Sequence, residues 1–116
     1  MAKIYIVYCL INPRTNTPYY VGVTMNRLQA RLSLHMCQQG RSLGNTTVCD
    51  RRKDLHNTFR HDGIKPVIKA LAVADIHTVD FLEHHYYNHF INIGHELLQL
   101  GTRFNYSKHI LNRRSF

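Results

Sequence analysis

An α/β (α+β) domain with a small three-stranded antiparallel sheet flanked by helices is the fold class this sequence predicts. Three features predict it. Two apolar runs, Lys3 to Ile11 and Tyr19 to Val23, flank Asn12-Pro13-Arg14-Thr15-Asn16-Thr17-Pro18, a stretch dense in turn formers that reads as a hairpin connection. Apolar residues recur at helical spacing in later segments. A further strand-like run, Pro66 to Ala74, lies between two of those segments. At 116 residues the chain has the size of one domain, residues 1–116, and its 44% hydrophobic content argues against a disordered chain.

The elements follow in order. The first run is rich in β-branched and aromatic residues, so it reads as a strand and not as a signal peptide. Thr24 is placed to cap a first helix, with Met25, Leu28, Leu32 and Met36 as its apolar stripe. Arg27, Arg31 and His35 recur every four residues on a neighbouring face. Gln38 to Thr47 reads as a loop. Asp50 is placed to cap a second helix through Leu55 and Phe59 that ends near Gly63. Thr78 is placed to cap a longer helix toward Leu97, with a break at Gly94 and a stripe of Val79, Leu82, Tyr86, Phe90 and Ile93. Gly101 stops the last turn, and an extended tail starts at Arg103.

Fifteen Lys and Arg against seven Asp and Glu give a net charge of +8. That surplus favours a polyanionic partner, nucleic acid before an anionic membrane. No apolar run approaches the roughly 20 residues of a membrane span. Three cysteines, Cys9, Cys37 and Cys49, form no CxxC, which points to a reducing, intracellular (cytoplasmic) setting and to Cys9 as a small core residue.

Several side chains could carry chemistry. Glu83 shares a helix face with Val79, Tyr86 and Phe90, and a carboxylate there is costly unless it is paired with an arginine or bound to a metal. Arg31 and His35 stand one turn apart and could serve one phosphate, although their spacing alone favours an ordinary surface pair. Strand alternation places Tyr19 and Tyr20 on opposite faces, and separates Tyr5 from Tyr8 in the same way. Arg51, Arg52 and Lys53 open a helix against its dipole, so they form either a solvated face or a surface with a task. His85 and His89 have the i, i+4 spacing of a zinc grip, but no third ligand and no HExxH accompany them.

Taken together, Val7-Tyr8 on the first run, Tyr20-Val21-Gly22 on the second, Arg31, His35, Glu83 in Leu82-Glu83-His84-His85-Tyr86, and Asn105 after Phe104 resemble the GIY-YIG nuclease superfamily. The resemblance spans roughly Lys3 to Tyr106. Ile6 replaces the Gly of the first motif, Tyr5 is the alternative first-motif tyrosine to Tyr8, and no second His follows between His35 and Cys49. The resemblance implies a DNA endonuclease in which Glu83 holds one Mg²⁺ or Mn²⁺ and Arg31 stabilises the phosphate. Tyr20, with Tyr8 beside it, would activate water, with His35 as a proton relay and Asn105 orienting the phosphate. Arg27, Arg41, Arg51, Arg52 and Lys53 are the expected phosphate contacts. A homodimer, or a partner supplying target recognition, accompanies that reading. RNA or a branched structure as substrate, and an inactive nucleic-acid-binding module of the same fold, are its alternatives.

Overall fold

The computed structural model describes residues 3–37 and 48–99. Strands β1 (Tyr5–Asn12), β2 (Thr17–Thr24) and β3 (Val67–Ala74) form one antiparallel sheet in the order β2-β1-β3. Helices α1 (Leu28–Cys37) and α2 (Val48–His61) fall between β2 and β3, and α3 (Val79–Asn92) follows β3. The hairpin and the third strand stand as the sequence predicts. Tyr5, Val7, Cys9 and Ile11 of β1 pack toward Val79, Leu82, Tyr86 and Phe90 of α3. Tyr8 and Leu10 pack the other way, onto Leu28, Leu32 and Met36 of α1 and Leu55 and Phe59 of α2. The result is three layers with the sheet in the middle. No helix among the described residues is long and apolar enough to cross a membrane.

Four local expectations are corrected. Thr24 does not cap α1: it still pairs with Ile6 in the sheet, and its hydroxyl accepts the Asn26 N–H at 3.0 Å. The chain therefore turns before the helix starts at Leu28, and Met25 is left exposed rather than in the stripe. Helix α2 begins at Val48, so Asp50 lies inside its first turn instead of capping it. Thr78 stands at the N-cap of α3 but makes no side-chain cap bond; Asp75 accepts from the His77 and Thr78 N–H groups instead. Helix α3 does not reach Leu97 but stops at Asn92, at the break expected from Gly94, whose φ of +97° is a left-handed conformation that suits glycine and ends helices, and Ile93 is exposed rather than in the stripe. The segments Gln38 to Thr47 and Gly101 onward lie outside the described residues, and with them Arg41, Asn105 and the tail.

A bulge changes which side chains share a face. Leu10 pairs with Tyr20 and Ile11 with Pro18, so Tyr19 is an extra residue on β2. Both Tyr19 and Tyr20 consequently pack on the α1–α2 side, against the expected alternation. Beyond the bulge the alternation resumes, and Val21 and Val23 turn toward α3. The outer edge of β2 is closed by the segment after α3. The Leu98 N–H donates to the Tyr19 carbonyl at 2.7 Å, and the Gln99 amide bonds both the N–H and the carbonyl of Val21, at 2.6 and 2.9 Å.

Gly22 is the cross-strand partner of Tyr8. A Cβ at that position would lie 2.6 Å from the Tyr8 hydroxyl and 2.7 Å from the Tyr20 ring. Both rings are held by neighbours, so the added methyl group cannot be absorbed freely. Gly22→Ala is expected to cost about 1–3 kcal/mol as overpacking, read as a lower urea midpoint with an unchanged slope. An unchanged midpoint would show that the two rings move aside without cost.

Candidate functional site

All three layers reach one polar cavity of about 330 Å³ at the end of the sheet. Tyr5 contributes from the start of β1, and Tyr20, Val23 and Thr24 from β2. Met25 comes from the following turn, Arg31 from α1 and Glu83 from α3. Tyr20, Arg31 and Glu83 are thus brought together although the sequence places them on three different elements. Glu83 is 92% shielded from solvent, in the line of α3 residues that faces the sheet.

Tyr8 is wholly buried next to this cavity rather than in its lining. The Arg31 Nε–H donates to its hydroxyl oxygen at 3.0 Å, and His35 Nε2 lies 2.7 Å from the same oxygen. With Arg31 donating, the hydroxyl hydrogen is best used on His35 Nε2, which assigns the His35 proton to Nδ1. Burial, reinforced by Tyr20, holds the Tyr8 phenol well above its usual value, and Arg31 opposes this only in part. Burial first, then the charges of Arg31, His56 and Arg52, pull His35 down to about 3. His35 is therefore neutral at pH 7, as an acceptor must be. It is buried and not half of a surface pair, and its imidazole anchors Tyr8 beneath the cavity. The tyrosine that lines the cavity beside Tyr20 is Tyr5, the alternative in the first motif.

A second buried pair repeats the first. The Tyr19 hydroxyl lies 2.8 Å from His56 Nε2, and the rings of His35 and His56 meet edge to face at 6.0 Å. Burial, with Arg52 and Arg60, draws His56 down to about 4. His56 is a site neighbour that the sequence reading missed. Its one local signal is its place three residues before Phe59, on the buried face of α2.

The expected phosphate contacts are scattered. Arg27 is exposed beside the start of α1. Arg51 is ion-paired with Glu96. The Arg52 guanidinium lies over the Tyr20 ring, 4.7 Å from its centroid, and Nη1 donates to the Leu98 carbonyl at 2.9 Å. Lys53 is half-buried on the same turn. His85 and His89 are exposed on the outer side of α3. Among the described residues no group of three His, Cys, Asp or Glu converges as a metal cage. Glu83, the carboxylate in the cavity lining, is a ligand type suited to a hard divalent ion that keeps most of its other ligands as water and phosphate oxygen.

No protein-family model, curated protein or solved structure matches the chain.

Both imidazoles are held far below the ordinary value of 6.5, so the unfolded chain binds more protons than the folded one at acid pH. Their contribution to stability is complete above about pH 6.5 and is lost as the pH falls toward their folded values of about 3 and 4. The urea midpoint should drop continuously between pH 6.5 and 4.5, less steeply in His56→Gln. A midpoint flat across that window, or an equal slope in the variant, would rule out the buried neutral imidazoles as its source.

Proposed function

We propose that this chain is a metal-dependent endonuclease of the GIY-YIG type that hydrolyses phosphodiester bonds in DNA. The observation that carries the reading is the convergence of Tyr20, Arg31 and Glu83 on one polar cavity. The net charge of +8 supports a polyanionic substrate.

In this reading Glu83 holds a single Mg²⁺ or Mn²⁺. When bound, the ion supplies Lewis-acid polarisation of the phosphate and neutralises charge on the departing 3′ oxygen. Arg31 spends its Nε–H on Tyr8, and its terminal N–H groups serve the non-bridging phosphate oxygens, whose charge grows in the transition state. Tyr20 presents its hydroxyl to the attacking water and helps to remove its proton. Tyr8 and His35 act one step back: they fix the height and direction of the Arg31 side chain, which has many rotamers when unrestrained. Asn105 would orient the phosphate from outside the described residues. One site per chain cuts one strand at a time, so double-strand cleavage calls for a dimer or for sequential nicking.

Supercoiled plasmid incubated with the protein in Mg²⁺ should be nicked or linearised, and EDTA should stop the reaction. Glu83→Ala should abolish cleavage while the DNA is still retarded in a gel at low salt. Arg31→Ala should lower the rate at saturating DNA by roughly 10²–10³-fold, the scale of a lost charge-stabilising donor, with a much smaller loss of affinity. Retardation without cleavage by the unaltered protein would leave a binding module. Joint loss of binding and cleavage in Glu83→Ala would make that carboxylate structural.

A further inference from the structure

Three consecutive cations lie near the start of α2, and the middle one is tied to the cavity through Tyr20. Arg51 is paired with Glu96 on the protein surface. The Arg52 guanidinium is held at two points. One is the face of the Tyr20 ring, 4.7 Å from its centroid; the other is the Leu98 carbonyl, 2.9 Å from Nη1. Leu98 in turn donates its N–H to the carbonyl of Tyr19, the residue before Tyr20, at 2.7 Å. The contacts close a ring from the Tyr20 side chain through Arg52 and Leu98 back to the peptide that joins Tyr19 to Tyr20. His35 meets the same tyrosine ring edge-on at 5.1 Å and 73°, and Tyr8 meets it at 6.1 Å.

We infer that Arg52 is a positioning residue for Tyr20, clamping its ring in the cavity, and not a contact to the nucleic-acid backbone. The inference rests on the nuclease reading for its catalytic consequence, but the clamp itself is a property of the folded chain. Its logic is geometric. On the outer strand beside the bulge, the Tyr20 ring meets the edges of Tyr8 and His35, and the Arg52 guanidinium covers its face. A hydroxyl that must meet a water in line with a phosphorus atom loses efficiency steeply when it wanders by an ångström. A planar guanidinium can lie flat on the ring and still donate in its own plane to a carbonyl. An ammonium has no planar face to lay on the ring and no fork to fix its direction, so lysine holds the ring less firmly.

The test uses Arg52→Met and Arg52→Lys in the full chain, with three measurements: tyrosine-ring NMR signals (Tyr20 assigned through Tyr20→Phe), the single-turnover cleavage rate at saturating DNA, and the salt dependence of DNA affinity. Arg52→Met should shift the Tyr20 ring signals and speed its ring flips while those of Tyr5 stay in place. The saturating rate should fall roughly 10- to 100-fold, with the salt slope unchanged, and Arg52→Lys should recover only part of it. Unmoved Tyr20 signals would overturn the inference. So would a salt slope shallower by about one with the saturating rate retained, the mark of a phosphate contact. If Arg52→Met does not fold, Arg52→Lys carries the same three measurements. If the unaltered protein cuts no DNA, the nuclease reading fails on its own, and the Tyr20 signals still decide for or against the clamp.

Discussion

The hydroxyl of Tyr8 is the point on which the arrangement depends. It sits in the central strand, wholly buried, and takes Arg31 and His35 of α1 as its two partners. A buried phenol without partners would be costly, and so would a buried imidazole. Each satisfies the other, and the pair fixes α1 against the sheet at one height. That height sets where Arg31 enters the cavity. Gly22 belongs to the same constraint, since only a residue without a side chain leaves room for the tip of Tyr8 and the ring of Tyr20. A substitution at any of these positions therefore acts on the cavity even where it does not line it.

The electrostatics follow from the same packing. Arg31 and Arg52 lie close enough to His35 that protonating it would add a third positive charge in a poorly solvated space. The imidazoles stay neutral, and the fixed cations remain the local source of positive potential. Glu83 reaches the cavity from the opposite layer, so negative and positive groups arrive on different elements and meet at the end of the sheet. Their separation depends on how α1 and α3 are seated on the two faces, and hence on the core itself. Val7, Cys9 and Val21 on one side and Tyr8, Leu10 and Phe59 on the other are the buried residues that set it.

Much of the framework was legible in the chain. The hairpin announced itself because Pro13, Asn16 and Pro18 interrupt two apolar runs, and the end of α3 because Gly94 tolerates a conformation that helices use to stop. What local pattern could not reveal was set by contacts distant in sequence. His35 read as a surface residue because its burying partner, Tyr8, lies 27 positions earlier. Alternation puts Tyr19 and Tyr20 on opposite faces because it assumes an unbroken strand, and the bulge at Tyr19 shows in no composition or period. By type Arg52 resembles its neighbours Arg51 and Lys53; its contacts with Tyr20 and the Leu98 carbonyl, distant in sequence, set it apart. The start of α1 is hidden for a smaller reason, since the Thr24 hydroxyl stabilises a turn as readily as it would cap a helix.

The bonds between Gln99 and Val21 have a consequence for the order in which the protein is made. Their partners stand 78 residues apart, and synthesis runs from one to the other. Until Gln99 has left the ribosome, β2 presents a bare row of backbone donors and acceptors in a partly assembled chain. Such an edge invites pairing with a neighbouring nascent chain. The same delay keeps Tyr20 without its backbone support, so an incomplete translation product would carry an unfinished cavity.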